Sequence, residues 1–287
     1  MSRGLDHIVH AVHDLDAAAA LYRRLGFTVG ARNRHPWGTH NYIVQFPGFF
    51  IELLTVAEPE KIAPSMPRSF SFGAFTQAFL ARREGYAMLV AESSDAREDA
   101  RAFQSGGVGD YDVFDFEREG RTPDGRTVKV AFSLAFATAP EADAGFFVCQ
   151  QHHPESFWNA ALQNHPSSVS AVAGVILVAH APADYCGFLS VFTGGEALDN
   201  PSGSVSVQTD RGEIQVMHPH AFRDLTGAEP PSLSSGARIA ALRLRVRDMD
   251  VLYARLAAQN IPSENRATAV IINVSHAMGA TIVFEPG

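Results

Sequence analysis

The spacing of apolar residues along the chain switches repeatedly between the two-residue period of strands and the three-to-four-residue period of helices. Residues 5–12, LDHIVHAV, are apolar and β-branched, which predicts a short strand. Asp14 follows as a helix cap, and Gly26 is placed to end the helix. The apolar stripe of this helix comprises Leu15, Ala18, Ala19, Tyr22 and Leu25. Further strands are predicted near 27–31, 39–46 and 49–56. The resulting unit is β-α-β-β-β.

The same order of elements returns three more times, so the chain is an internal repeat. The second unit has strands at 86–92, 111–118, 126–136 and 146–151, with a helix ending at Gly106. The third has strands at 174–179, 204–209 and 212–217. The fourth has strands at 239–246, 267–274 and 280–285, with a helix after Asp248. This pattern predicts an α+β protein built from four βαβββ units.

Two irregular stretches divide the repeats. Residues 57–85 hold three prolines followed by an apolar segment that predicts a linker and a short extra helix. Residues 154–168 separate the second unit from the third. We therefore expect one domain over residues 1–155, made of units one and two, and a second over residues 168–287, made of units three and four.

Composition narrows the functional classes. The chain has 287 residues, a formal net charge of -8 and only two cysteines, which is typical of a globular protein in a reducing compartment. We expect a cytoplasmic location. No apolar run is long enough for a membrane span, and no basic run is long enough to follow a phosphate backbone, so neither a membrane nor nucleic acid is an expected partner. The common hydrolase, nucleotide and redox motifs are also absent.

The segments LDHIVHAVHDLDAAAALYRRLGF and GTHNYIVQFPGFFIELL, together with VRDMDVLYARL and MGATIVFEP near the end, resemble the vicinal oxygen chelate superfamily. This superfamily includes glyoxalase I, extradiol dioxygenases and bleomycin-resistance proteins, and the first half is most similar to glyoxalase-like domain proteins. The resemblance implies that paired units form two curved mixed sheets with helices on the outer face. It also implies that a concave face holds a divalent metal ion.

Ligand positions in that superfamily lie on the first and last strands of a unit, which here gives His7 and Glu52. Strand alternation separates His7, expected to face the open cup, from His10, expected beneath the helix. Imidazole and carboxylate suit zinc, nickel, manganese or iron. Further ligands are expected from the end of the second unit, where Cys149 is in register with Glu52 and His152 would join through a bulge. Alternatively, Cys149 is a buried structural cysteine, and the polar residues at the end of its strand lie at the surface.

Several polar and aromatic residues are candidates for contacting a substrate. The expected hairpin register puts Asn41 and Gln45 on the face of Glu52. The remaining candidates are Arg34, Trp37 and His40 on a rim loop, Tyr86 at the position matching His7, Gln151 beside Cys149, and Trp158 in the interdomain segment. The arginine and the indole of the rim would suit a small organic acid, although a solvated turn with one packed tryptophan explains the same residues. Trp158 either forms part of the pocket wall or packs to hold the interdomain segment in place.

Two functions follow from the resemblance. The first is a metal-dependent lyase, isomerase or epimerase acting on a small oxygen-rich, anionic molecule, with Glu52 as metal ligand, catalytic base or both. The alternative is a metal-free protein that binds or sequesters a small molecule, similar to the bleomycin-resistance proteins. In units three and four, Gly174, Ala241 and Val283 occupy ligand positions and cannot ligate through side chains. The second pair is therefore expected to be structural or to form a homodimer.

Overall fold

The first repeat forms at the amino terminus of the protein, of which the computed structural model describes residues 2–121, 127–200 and 203–287. Its elements are β1 (Leu5–Ala11), α1 (Leu15–Arg24), β2 (Asn33–Arg34), β3 (Thr39–Phe46) and β4 (Phe49–Val56). Asp14 caps α1, because its carboxylate accepts a hydrogen bond from the backbone N–H of Ala17 at 2.9 Å. The prediction of a strand near 27–31 is wrong, since the short β2 pairs with β3 instead.

A connecting helix and a second repeat follow. The elements are α2 (Phe72–Leu80), β5 (Gly85–Glu92), α3 (Ala96–Ser105), β6 (Phe114–Arg121), β7 (Thr127–Ala137) and β8 (Gly145–Gln151). The predicted irregular stretch 154–168 contains one short helix, α4 (Pro154–Phe157), and a 3-10 turn at Ala160–Gln163. The extra helix expected between the first two units is therefore α2.

The second half repeats the arrangement. Its third unit contains β9 (Val169–Val178), α5 (Cys186–Thr193), β10 (Leu198–Asp199), β11 (Val205–Gln208) and β12 (Glu213–Met217), and α6 (Pro219–Thr226) follows it. The fourth unit contains β13 (Arg238–Val246), α7 (Met249–Ala258), β14 (Glu264–Arg266), β15 (Ala269–Ile272) and β16 (Thr281–Pro286). No helix in these described ranges is both long and apolar enough to cross a membrane.

The four units pair into two mixed sheets, as the α+β prediction requires. The strand order is β2-β3-β4-β1-β5-β8-β7-β6 in the first sheet and β10-β11-β12-β9-β13-β16-β15-β14 in the second. The first strands of paired units run antiparallel, β1 against β5 and β9 against β13, whereas each first strand is parallel to the last strand of its own unit. The two orders correspond strand for strand, which confirms the four-unit reading of the sequence.

The helix-bearing outer faces of the two sheets meet in one hydrophobic core. This core contains Ile8 and Tyr22 from the first half and Leu177 and Phe284 from the second, all fully or almost fully buried. Rings also stack across the junction, with Phe146 of β8 5.0 Å from Phe188 of α5 between ring centroids. The inner faces have separate apolar clusters, covered by α2 in the first half and by α6 in the second. Each sheet thus keeps its inner face apart from the shared core.

His10 is buried beneath α1, on the strand face predicted for it. The Tyr22 hydroxyl donates to His10 Nδ1 at 2.9 Å, while His10 Nε2 donates to the carbonyl oxygen of Met278 at 2.9 Å, so the ring is neutral. Burial lowers the pKa of His10 to about 4, and the hydrogen bond to Met278 and the charge of Glu84 oppose that shift only partly. This histidine links β1 to the second half of the molecule.

We expect His10 to make stability fall on acidification. His10 takes up a proton near pH 6.5 in the unfolded chain but only near pH 4 in the folded chain. Its contribution to stability is therefore complete above pH 6.5 and is lost as the pH falls towards 4. The loss between pH 7 and pH 5 is about 2 kcal/mol for this one group. Urea unfolding of wild type and His10→Gln at both pH values measures it. An equally steep pH dependence in the variant would contradict this assignment.

Candidate functional site

The inner face of the first sheet encloses a cavity of about 820 Å³, including its open mouth. Strands β1, β3, β4, β6, β7 and β8 supply most of its lining, and α2 and α4 close its sides. The walls are mainly aromatic, formed by Phe50, Phe72, Phe114, Phe116, Phe132, Phe147, Phe157 and Trp37. Polar groups lie at its floor and at one rim. Such a cavity suits a small molecule with an apolar body and a polar end.

His7 and Asp6 form a polar pair at the floor of this cavity. His7 Nδ1 lies 2.5 Å from Asp6 Oδ1, and Gln151 Nε2 donates to Asp6 Oδ2 at 2.9 Å. The imidazole stacks on Phe50 with 4.2 Å between ring centroids, and Phe147 meets its edge. An ionised Asp6 can only accept a hydrogen bond from Nδ1, and Nε2 of His7, a residue that lines the cavity, has no hydrogen-bond partner among the described residues. The pair is therefore built to present a basic nitrogen to a ligand.

Glu52 lies on the strand next to His7 and belongs to a second polar group. The parallel register pairs His7 with Phe50 and Val9 with Glu52, so His7 and Glu52 are diagonal neighbours on the same inner face. Asn41 Nδ2 donates to Glu52 Oε1 at 2.6 Å, and His35 Nε2 lies 4.0 Å from the same oxygen. The other Glu52 oxygen has no partner among the described residues.

His35 contributes a neutral ring to this polar group. Burial lowers the pKa of His35, against the opposing charge of Glu52 and with smaller lowering effects from Arg118 and His40. Its Nδ1 lies 2.8 Å from Thr39 Oγ1, and its ring stacks on Trp37 with centroids 4.7 Å apart. The rim of the cavity is thus held in place by both hydrogen bonding and stacking.

Arg118 supplies a cationic group to the same rim. Its guanidinium donates to Asn33 Oδ1 at 3.4 Å and has no carboxylate partner among the described residues. Burial lowers the pKa of Arg118, but an arginine remains charged at neutral pH. Phe114, Phe116 and Arg118 follow the two-residue period of β6 and all line the cavity. A guanidinium that has no carboxylate partner in the described part of the chain, beside aromatic walls, is suited to the carboxylate of an aromatic acid.

The predicted substrate-contacting residues are divided between the cavity and its surroundings. Asn41 and Trp37 line it. His40 points to the opposite face of β3, where its Nε2 lies 3.1 Å from Glu58 and its Nδ1 accepts from Arg32 at 3.2 Å. Arg34 pairs with His40 across β2 and β3 and is exposed. Both residues therefore lie outside the cavity, because strand alternation turns Arg34 away from Asn33 and His40 away from Asn41, which both line it.

Three other candidates are not part of the cavity lining but contact the residues that line or support it. Gln45 is buried on the inner face, as its register predicts, but it donates to the Phe157 carbonyl at 2.8 Å and accepts from the Asn159 N–H at 2.9 Å. It thereby fixes the segment that carries Phe157 into the cavity wall. Trp158 packs against Phe157 and Phe50 behind that wall. Gln151 reaches the cavity only through its hydrogen bond to Asp6.

Tyr86 is placed on the other side of the sheet. It pairs with His10 and packs 5.2 Å from that ring beneath α1, so it is absent from the cavity lining. The register between β1 and β5 shifts between Val9 and His10, and a bulge of this kind reverses the side-chain alternation. Met88, two residues later, consequently lines the cavity in the place predicted for Tyr86.

The four predicted metal ligands do not form a metal site. His7, Glu52 and Cys149 line the cavity, but His152 lies past the end of β8 and its Nε2 contacts Ser133 Oγ at 2.8 Å outside it. Burial, aided by the charges of Asp6 and Glu52, raises the pKa of the Cys149 thiol well above its ordinary value, so without a bound metal the thiol stays protonated. Among the described residues, no three or more His, Cys, Asp or Glu side chains come together to hold a metal ion. The donor set of this cup does not fit the divalent metal that the resemblance implies.

An arginine occupies the corresponding place on the inner face of the second sheet. Arg243 donates to Glu213 Oε2 at 2.7 Å and to Gln215 Oε1 at 3.0 Å, and it forms a bidentate pair with Glu285 at 2.5 and 3.2 Å. Gln215 is the residue that the repeat aligns with Glu52. The polar groups of the second cup are thus occupied by one another, which agrees with the lack of ligand residues noted from the sequence.

Sequence reasoning missed two residues of the site, Asp6 and Arg118, and left the direction of His35 on the rim loop open. Asp6 lies on the opposite face of β1 by simple alternation, yet its side chain reaches the neighbouring His7 ring. His35 lies in a loop, for which no periodicity gives a direction. Arg118 carried a usable signal, because it follows Phe114 and Phe116 at two-residue spacing in a predicted strand.

The chain is similar to known proteins both in sequence and in structure. A family model described as a glyoxalase-like domain matches residues 5–190. A hypothetical protein from Staphylococcus aureus is similar in structure, with a TM-score of 0.67, 15% identity and 99% of each chain covered. A mutant of 4-hydroxymandelate synthase from Streptomyces coelicolor has a TM-score of 0.59 and 11% identity, covering 100% of this chain and 93% of that one.

A further structural neighbour is larger than this protein. It is a xylose isomerase-like TIM barrel/4-hydroxyphenylpyruvate dioxygenase fusion protein, with a TM-score of 0.55 and 12% identity, and the match covers 99% of this chain but 49% of the fusion protein. At these identities the structural likenesses show the fold alone. Among curated protein sequences, none matches this chain.

Proposed function

Because the chain belongs to the glyoxalase-like domain family, we propose that its first cup binds a small aromatic organic acid and moves a proton on it. The observation that carries the proposal is the Asp6–His7 pair, whose free Nε2 lies in an aromatic cavity that also contains Glu52 and Arg118. A positioned imidazole with a carboxylate behind it is an effective proton acceptor. The reaction class is isomerisation, which needs no oxidant or second substrate.

The cavity residues have separate roles in binding and in proton transfer. Arg118 binds the substrate carboxylate at the rim, and the phenylalanine walls hold the ring and exclude water. A carbon–hydrogen bond next to a carbonyl group then faces Nε2 of His7. His7 accepts the proton, and the bonding electrons move to the carbonyl, giving an enolate. Asp6 stabilises the imidazolium that forms. The imidazolium of His7 then returns its proton to the enolate oxygen, which gives the enol isomer of the substrate.

The metal-dependent form of this chemistry, which family resemblance implies, requires a third donor beside His7 and Glu52, and the described residues bring no such group of three together. Elemental analysis by mass spectrometry of untagged wild type, His7→Ala and Glu52→Ala tests it directly. We expect less than 0.1 equivalents of transition metal in all three proteins. Near-stoichiometric metal in wild type that is lost in both variants would contradict the metal-independent proposal.

The binding step makes a separate prediction. In metal-free buffer, phenylpyruvate and mandelate are expected to bind wild type, and Arg118→Gln should weaken binding at least tenfold, because it removes the unpaired cation of the rim. Arg34→Gln is the matched control and should leave affinity unchanged, since Arg34 is exposed outside the cavity. Saturation-transfer NMR and calorimetry measure both. Equal losses in the two variants would contradict the assignment of Arg118.

A metal-free binding or sequestration role is the second candidate. The extent of the aromatic wall favours this role, since such a surface holds a ligand without any reaction of the bound molecule. The two functions differ in one observable result. Sequestration predicts tight binding with no proton exchange on the bound molecule, whereas the enzymatic proposal predicts both.

A further inference from the structure

A second cleft lies where the two halves of the molecule join, away from the first cup. Backbone hydrogen bonds bring the halves together here: the Ala237 N–H donates to Glu141 O at 2.7 Å, and the Asp143 N–H donates to Ala237 O at 2.8 Å. This bridge places Arg238, at the start of β13, next to Asp143 and to the arginine pair Arg82 and Arg83 after α2. The cleft has an empty volume of about 1240 Å³, including its opening to solvent.

Three guanidinium groups line this cleft around a single carboxylate. Arg82 donates to Asp143 Oδ1 at 2.7 Å, and Arg83 pairs with Asp143 Oδ2 and donates to the Asp143 carbonyl at 3.0 Å. Arg238 has no carboxylate partner among the described residues, and its Nη1 reaches only the Ser232 carbonyl at 3.3 Å. The positive charge of Arg238 is therefore left without a direct counter-ion.

Two other carboxylates line the cleft, but both are engaged elsewhere. Glu229 pairs with Arg223 at 2.7 Å, and Glu84 accepts the His13 N–H at 2.7 Å. Neither makes an ion pair with the three arginines. The pKa of Arg238 is lowered to about 10, chiefly by burial and also by the charges of Arg83 and Arg82, while the charge of Asp143 opposes this shift. A bound anion would relieve this repulsion.

Three buried polar atoms at the cleft are candidate donors to a ligand. Among the described residues, the Nε atoms of Arg83 and Arg238 and the Oγ1 of Thr281 are buried without a hydrogen-bond partner, and all three residues line the cleft. The Thr281 side chain is 0% exposed. Buried donors are satisfied in nearly all native proteins, by protein, water or ligand. Two guanidinium N–H groups and one hydroxyl together are donors for the oxygens of an anion.

We propose that this cleft binds the phosphate or carboxylate group of a small organic anion, held by Arg83, Arg238 and Thr281. The oxyanion takes the free N–H groups and the hydroxyl, and its organic part lies against Phe222, Pro230 and Pro231 at the cleft wall. The site draws residues from both halves of the chain, so its ligand also joins the halves. It is independent of the proton-transfer chemistry proposed for the first cup.

Phenyl phosphate is a suitable probe, and calorimetry at constant ionic strength in HEPES and sodium chloride is the measurement. All proteins in this experiment carry Arg118→Gln, which removes the cation of the first cup, so that binding to the cleft is distinguished from binding to the first cup. In this background we expect saturable binding of one equivalent. Arg238→Gln should weaken it at least tenfold, and Arg245→Gln should leave it unchanged, because Arg245 is an exposed arginine on the same strand.

Thr281→Val keeps the shape of the side chain while removing the unpartnered hydroxyl, so it tests the site even where Arg238→Gln unfolds. It should weaken binding about threefold, with an unchanged circular dichroism spectrum. Phenylacetate in place of phenyl phosphate shows whether a carboxylate is preferred. No saturable binding of either probe, or equal affinity in the Arg238→Gln, Thr281→Val and Arg245→Gln proteins, would overturn the proposal.

Discussion

Replacing His7 with Gln should lower the rate of proton exchange on a bound aromatic acid by about 10² to 10⁴, the usual contribution of a positioned general base. Glutamine retains a polar end but cannot accept and hold a proton at the place of Nε2. The measurement is loss of the C3 proton signal of phenylpyruvate in deuterated buffer by NMR. Binding of phenylpyruvate should change little, because Arg118 and the aromatic walls are intact.

Two companion variants separate catalysis from structure. Asp6→Asn should lower the exchange rate by about 10², because the carboxylate no longer stabilises the imidazolium. His152→Gln is the matched control, a histidine outside the cavity that should leave the rate unchanged. A His7→Gln protein that binds phenylpyruvate and exchanges its C3 protons as fast as wild type would remove His7 from the mechanism.

Replacing Arg243 with Met should destabilise the fold by about 3 kcal/mol, because it leaves carboxylates of Glu213 and Glu285 facing each other without a cation. All three side chains are less than 20% exposed, so water compensates them poorly. The ion pairs with Glu285 and Glu213 raise the pKa of Arg243 despite the lowering effect of its burial, which shows how strongly they hold the charge. Chemical denaturation measures the free energy of unfolding.

The reason for this loss can be tested by further substitution. If the cost comes from unpaired carboxylates, adding Glu213→Gln and Glu285→Gln to Arg243→Met should recover most of the lost stability. Arg245→Met on the same strand is the control and should cost less than about 0.5 kcal/mol, because Arg245 is exposed. A triple variant no more stable than Arg243→Met would show that packing, not charge, is at issue.

Much of the fold followed from local patterns. The repeated strand-helix-strand order, the Asp14 cap and the opposite orientations of His7 and His10 depend on periodicity within one element, and all are confirmed. The predicted placement of Asn41 and Gln45 on the face of Glu52 is also confirmed, because a tight hairpin fixes its own register and here sets Ile43 opposite Glu52. These features need no knowledge of the rest of the chain.

The errors arose where contacts between distant elements decide the outcome. Tyr86 was expected in the cup, and a bulge against β1 turned it beneath α1. Gln45 was assigned to the correct face, yet the segment around Phe157 folds over it and takes its hydrogen bonds. The arginine of the rim is Arg118 from the second unit rather than Arg34 from the first. Alternation gives the face of a residue, but it does not show which distant segment covers that face.

The central claim is that the first cup moves a proton with its own side chains. The most direct test is deuterium exchange into phenylpyruvate by wild-type protein after exhaustive chelation, with metal content measured on the same sample. We predict enzyme-dependent exchange at less than 0.1 equivalents of metal, lost in His7→Gln. Exchange that disappears on chelation and returns with zinc, nickel, manganese or iron would contradict the claim.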